Sequence, residues 1–218
     1  MLYGFYPEVI NNQGKERETL KNLVNSYLYR DILAFSDIRK PEILEQLLQA
    51  LALQIGSEVN YNELSQLIGV NKITVQKYID ILEKGYIIFR LNSFSRNIRN
   101  EIKRNRKIYF LDNGIRNMII GDFKPLNLRL DKGALWENFL VSERRKQNTY
   151  KDTFAKMYFW RTQQQQEIDF VEEKDGDISA FEFKWKNKKT KFPQNFLDTY
   201  NADGFVINRD NFREFIKI

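Results

Sequence analysis

The chain has 218 residues, 42% hydrophobic and 14% aromatic, a composition that excludes wholesale disorder and leaves room for two ordinary domains. It contains no cysteine and no histidine, which excludes disulfides, thiolate or imidazole zinc sites, and Ser-His or Cys-His catalysis. Its net charge is +6, no run approaches the ~18 apolar residues of a membrane span, and the N-terminus lacks the features of a signal peptide, so a cytoplasmic protein without a membrane partner is expected.

The first forty residues read as a helical connector. Pro7-Glu8 is a plausible helix start, and residues 16–34 carry apolar side chains at helical spacing, including Leu20, Leu23, Val24 and Tyr27. No partner for that amphipathic helix is evident within this segment. From Pro41 a strongly apolar helix is predicted, with Leu44, Leu47, Leu48, Leu51 and Leu53, ending at Gly56. Asn60 then caps a short helix whose Leu64, Leu67 and Ile68 are expected inside, and Gly69 supplies a left-handed turn. Asn71 caps a second helix that buries Val75, Tyr78, Ile79 and Leu82. The pair describes a helix-turn-helix.

Strands are predicted at residues 86–91 and 107–111, and the segment from Asn92 to Lys107 between them holds six basic residues and one acid. Helices followed by a hairpin with a basic tip make a winged helix. On this reading Lys72, Thr74, Gln76 and Lys77 face a DNA groove, and Arg96, Arg99, Lys103, Arg104 and Arg106 face phosphates. Two plainer readings stand beside it, a solvated basic loop and a winged helix that only packs within a larger protein. The boundary of this domain, residues 41–130, is placed near Asp131.

Residues 131–218 are expected to form an α/β domain. A helix begins at Gly133-Ala134-Leu135-Trp136-Glu137, and strands follow at 155–161, 167–172 and 178–185, with Thr162 to Gln166 as a polar turn. Alternation puts Ile168 and Phe170 on one face and Glu167 and Asp169 on the other. In the last strand Phe181, Phe183 and Trp185 share one face, while Ala180, Glu182 and Lys184 share the opposite one. Asp169, Glu182 and Lys184 can therefore meet if the strands are neighbours. Two such carboxylates bind a hard cation that acidifies water and polarises a phosphoryl oxygen, and the lysine orients that water or offsets developing charge. Glu137 would complete the site from its helix. The competing reading is a cross-strand salt bridge on a solvated sheet face.

Glu137, Asp169 and Glu182-Phe183-Lys184 together resemble the PD-(D/E)xK nuclease pattern, particularly its Holliday-junction-resolvase-like branch. The whole chain is similar to the C-terminal region of a family of prokaryotic AAA-type ATPases. Tyr3-Gly4-Phe5-Tyr6-Pro7, Tyr29-Arg30-Asp31-Ile32, Lys107 through Gly114, Gly133 through Asn138, and Phe159-Trp160-Arg161-Thr162 carry the likeness with the acid-lysine pattern. The resemblance implies an α+β protein of two domains, a winged helix-turn-helix followed by a restriction-endonuclease-like α/β domain. It implies DNA and an ATPase domain or partner protein as companions. It implies Asp169 and Glu182 as ligands of Mg²⁺ or Mn²⁺, with Lys184 and Glu137 in catalytic roles. No G-x-x-x-x-G-K-[ST] stands ahead of the winged helix, so no ATP site or ATP hydrolysis is carried over. The helix at 16–34 is then expected to be the junction to an ATPase domain, either as a truncation or as a stand-alone remnant. Gln194 and Tyr200 are six apart, so the Gln-x-x-x-Tyr arrangement of the exonuclease branch is missing.

Overall fold

The computed structural model describes residues 1–26, 38, 40–96, 106–187 and 190–217. It is α+β, with a mixed sheet. The chain divides into two compact units, Met1–Arg90 with Ile108–Asp131, and Leu91–Lys107 with Lys132–Ile218. One division falls at the Asp131–Lys132 bond, and the segment from Leu91 to Lys107 goes with the second unit.

The first unit contains α1 (Pro7–Asn11), α2 (Glu16–Leu23), α3 (Pro41–Leu53), β1 (Glu58–Val59), α4 (Tyr61–Leu67), α5 (Lys72–Lys84), and α6 (Asn113–Ile120). It shares β2 (Ile88–Ser93) and β3 (Arg106–Phe110) with the second unit, and β1 lies beside β3, which lies beside β2. The helices α4 and α5 start where a side chain satisfies their free amides. The Asn60 carboxamide oxygen accepts from the Asn62 and Glu63 N–H groups, and that of Asn71 accepts from Thr74 N–H at 2.8 Å. Gly69 takes φ +68° in the turn between them, a conformation that costs a glycine little. Val75, Tyr78, Ile79 and Leu82 are buried as their spacing requires, but Leu67 is 66% exposed, since Leu64 and Ile68 already occupy the buried side of so short a helix. The helix expected over 16–34 is seen as α2 and the turn after it, and its remainder lies outside the described residues.

A second clasp closes this unit. Asp112 caps α6 by accepting from Gly114 and Ile115 N–H, and its other carboxylate oxygen accepts from Phe5 N–H. Gly4 has φ +73°, and a Cβ there would lie 1.8 Å from the Asp112 carboxylate; one on Gly114 would lie 2.2 Å from the Tyr3 carbonyl. The motifs around Gly4 and Gly114 are thus two halves of one contact. Beneath it, buried Arg116 and Arg129 share Asp131, and Arg116 also donates to the Ala52 carbonyl at 2.7 Å.

The second unit holds α7 (Lys132–Tyr150), β4 (Lys156–Arg161), β5 (Glu167–Lys174), β6 (Asp177–Phe183), α8 (Gln194–Tyr200), β7 (Asp203–Ile207) and α9 (Phe212–Ile216). Its strands run in the order β2 end, β4, β5, β6, β7; β4-β5-β6 is antiparallel, and both flanking pairs are parallel. On one sheet face Phe170, Phe181 and Phe183 pack against Phe215 of α9. On the other, Ile168, Val171, Ile178 and Ala180 join Tyr158, Trp160 and Phe94 under Phe196 of α8.

The sequence expectation that Ile168 and Phe170 share a face is corrected. Between the pairs Tyr158↔Val171 and Trp160↔Ile168, β4 advances two residues and β5 three. The extra residue in β5 is a bulge at Asp169–Phe170, and it turns Ile168 to the Val171 side. The segments of α8, β7 and α9 carry no expected element. They are short, and each is stabilised by packing on the sheet more than by its own pattern.

Candidate functional site

The bulge sits at the centre of the candidate site. The last β5-β6 pair is Phe170↔Phe181, and Asp169 and Glu182 are the next residues beyond it on their strands. Asp169 Oδ2 accepts from the Phe183 amide at 2.8 Å, which anchors the carboxylate to β6. Lys184 Nζ lies 2.7 Å from Glu182 Oε2 and 3.9 Å from Asp169 Oδ2. Asp169, Glu182 and Lys184 are therefore brought together. Glu182 is buried and Asp169 half-buried, so they do not lie on an open, solvated sheet face.

Glu137 reaches the same cluster from α7, one residue after Trp136. Its carboxylate pairs with Lys107 Nζ at 3.2 Å, and the same ammonium lies 2.7 Å from Glu167 Oε1. Lys107 and Glu167 were not among the residues picked out as the site. Lys107 is the last member of the basic run from Asn92, which hid it among the charges of the expected wing. The available signal was its place in strand alternation before Ile108, which separates it from the charged residues upstream. The assembled cluster holds four carboxylates (Glu137, Glu167, Asp169, Glu182) and two ammonium groups (Lys107, Lys184).

Burial and mutual repulsion shape its electrostatics. Burial pushes the Asp169 carboxyl above its ordinary range despite the opposing pull of Lys107, the Phe183 amide and Lys184. Burial, and then the negative charge of Asp169, raise Glu182 as well, against Lys184. Burial alone would lower both lysines. Glu137, Glu167 and Asp169 outweigh it at Lys107, and Glu182 and Asp169 outweigh it at Lys184, so both ammonium groups are held above the ordinary lysine range. Two acids whose charges burial resists, facing two firmly protonated lysines, make a compact cluster of opposed charges.

The residues expected to meet DNA fall in several settings. Lys72, Gln76 and Lys77 lie exposed on α5, whose acids Asp80 and Glu83 are both paired with Arg90. Thr74 is half-buried, and its hydroxyl donates to the Asn71 side chain at 3.1 Å as part of the helix cap. In the second unit, exposed Arg96 sits over the Tyr200 ring at 5.3 Å, and Arg106 is half-buried. Arg99, Lys103 and Arg104 lie outside the described residues.

Two family models match the chain. Residues 1–126 match DUF8612, a domain of unknown function, over more than half of the chain. The chain belongs to the DUF8612 family. Residues 132–217, which hold all but Lys107 of the acid-lysine cluster, match a second domain of unknown function, DUF4143. An uncharacterized protein of Haemophilus influenzae is 24% identical over 224 residues, covering 98% of this chain and 50% of that protein. One of Methanocaldococcus jannaschii is 22% identical over 227 residues, covering 93% and 49%. One of Mycobacterium tuberculosis is 29% identical over 164 residues, covering 74% and 36%. The chain thus spans about half the length of the first two relatives and about a third of the mycobacterial one. No solved structure matches. Among the described residues no helix is long and apolar enough to cross a membrane.

Proposed function

We propose that this DUF8612 family member is a DNA-binding C-terminal module of an AAA-type ATPase, a winged helix joined to a nuclease-like α/β domain. The observation that carries the reading is the meeting of Asp169, Glu182 and Lys184 where β5 and β6 lie side by side, with Glu137 joining from α7. The extra length of the relatives leaves room for an ATPase domain. The exposed cations of α5 suit a polyanion, because their acidic neighbours are already neutralised by Arg90.

Asp169 and Glu182 fit a hard cation. Mg²⁺ is commonly held by one or two carboxylates plus substrate phosphates, and these two acids, on neighbouring strands, lie 3.9 and 2.7 Å from the Lys184 ammonium. Bound there, Mg²⁺ or Mn²⁺ would acidify a water and polarise a phosphoryl oxygen. Lys184, paired with Glu182, stands where it would orient that water. Glu137 and Lys107 would fix the helix-borne side of the site. The same arrangement supports a second reading, a Mg²⁺-dependent DNA endonuclease or resolvase-like enzyme. A third reading, a protein-interaction module, draws on Leu67 and Ile73, exposed at either end of the α4–α5 turn.

The test is binding to duplex, single-stranded and branched DNA across a salt series, followed by incubation with Mg²⁺ and Mn²⁺. Binding whose log affinity falls linearly with log salt supports the DNA-binding reading, and no retardation at low salt overturns it. Cleavage lost in Asp169→Ala supports the enzyme; cleavage equal in that variant, or none on any substrate, overturns it.

A further inference from the structure

Beside the acid-lysine cluster, the second unit carries a pair of cations with an unusual seat. Lys132 Nζ lies 5.6 Å and the Arg209 guanidinium 5.1 Å from the centroid of the Trp185 ring. Neither has a carboxylate partner among the described residues. The buried and half-buried cations Lys107, Arg90, Arg116, Arg129, Arg144 and Lys184 are all paired with acids. The acid preceding Lys132, Asp131, is itself taken by Arg116 and Arg129. A cation held over an aromatic face gains attraction from the ring while its N–H donors stay free for another partner.

The helix that begins at Lys132 strengthens the bias. α7 is nineteen residues long and has no acid in its first turn, and Asp131 just before it is shared by two arginines, so Lys132 adds to the positive end of the helix. Gly133 leaves the helix start open, with nothing within 4 Å of where a Cβ would stand. The underlying Trp136 ring meets Trp185 edge to face at 5.4 Å, and its buried Nε1 donor has no partner among the described residues.

This cluster is carried on the same two elements as the candidate site. Trp136 precedes Glu137 on α7, and Trp185 follows Lys184 after β6. The Lys184 amide donates to the Ile207 carbonyl at 2.9 Å, which brings the end of β7, and Arg209 just beyond it, alongside the same strand end. The geometry points to a phosphate-binding cleat formed by Lys132 and Arg209 on Trp185, which seats the sugar-phosphate backbone of a nucleic acid at the strand end that also carries Lys184. The inference rests on the DNA-binding reading and gives the second unit its own share of the interface. The cleat makes no base contact and is indifferent to sequence.

The experiment uses the full chain and its Lys132→Ala/Arg209→Ala double variant, with the fold of each checked by circular dichroism. Anisotropy titrations against labelled duplex and single-stranded DNA are run from 50 to 300 mM salt, conditions chosen for the assay. Each lost phosphate contact shallows the log–log salt slope by about one unit, so the double variant is expected to lose roughly two, equally for all sequences. Trp185→Phe keeps a ring under the cations and is expected to keep most of the affinity. Wild-type binding with an unchanged slope and affinity in the double variant overturns the cleat and leaves the DNA-binding reading standing. No wild-type binding to any DNA overturns both. Equal competition by polyglutamate of matched charge overturns the nucleic-acid assignment in favour of an acidic protein surface.

Discussion

The Lys107 ammonium lies 2.7 Å from the Glu167 carboxylate while its side chain is only 4% exposed. Glu137 shares the same ammonium at 3.2 Å. Removing one charge from such a buried group leaves the others uncompensated, which typically costs about 3–5 kcal/mol. Lys107→Met is therefore expected to lose stability of that order in urea unfolding at pH 7.5, and Lys107→Arg to lose much less. Without the ammonium Asp169 loses the pull that opposes its protonation, so the Met deficit is expected to shrink on acidification. An equal deficit at pH 7.5 and pH 5 would assign it to packing.

Asp169 carries the opposite sign from most carboxylates. Its folded-state pKa is raised, first by burial, above its unfolded value. Between those two values the folded state binds more protons than the unfolded one, so this group's contribution to stability falls as pH rises through the window and is recovered on acidification. Asp169→Asn keeps an oxygen for the Phe183 amide and removes the charge. It is expected to raise stability at pH 7.5 by about 0.5–2 kcal/mol, a size common for relief of functional strain. The gain should fade as pH drops toward the unfolded carboxylate range. Thermal melts of both proteins across pH would show it, and an Asn variant less stable at every pH would contradict it.

Gly4 is irreplaceable for two reasons that act together. Its φ of +73° disfavours any side chain, and a Cβ would collide with the Asp112 carboxylate that caps α6 and binds the Phe5 amide. Gly4→Ala is expected to cost about 1–3 kcal/mol, the scale of a non-glycine residue held in strained backbone. Hydrogen exchange at the Phe5 amide should accelerate in the variant. Unchanged exchange there would mean the clasp survives.

Arg144 grips Glu172 through two donors, at 2.8 and 2.5 Å, and Asn148 adds a third bond to the same buried carboxylate. Glu172→Ala leaves the guanidinium between α7 and the sheet with Gln147 and the Phe215 carbonyl but no carboxylate, and an expected loss of about 3–5 kcal/mol follows. Replacing both partners, as Arg144→Met/Glu172→Met, should recover much of it. Chemical denaturation of the single and double variants decides between charge stranding and a general loss of packing.

Much of this architecture was legible along the chain. Asn60 and Asn71 announced their helices because a short polar side chain can satisfy the amides of the turn that follows it, and Gly69 marked the turn because its backbone needs positive φ. Alternation in β6 placed Glu182 apart from Phe181 and Phe183, since side chains on a strand change face at each residue. These are local rules, and they hold wherever the chain obeys its ideal geometry. They failed at Ile168, where one extra residue in β5 reversed the alternation, because a bulge is defined by the pairing of two strands and is invisible in either alone.

The sequence by itself determined that any metal would rest on oxygen, and that Asp169, Glu182 and Lys184 were the groups to watch. Tertiary structure decided their company. It brought Lys107 and Glu167 into the cluster, and it set Lys132 and Arg209 on the Trp185 ring. The physical reason is burial. A charge drawn out of water must find a partner in space, and that partner is chosen by which strands and helices pack together.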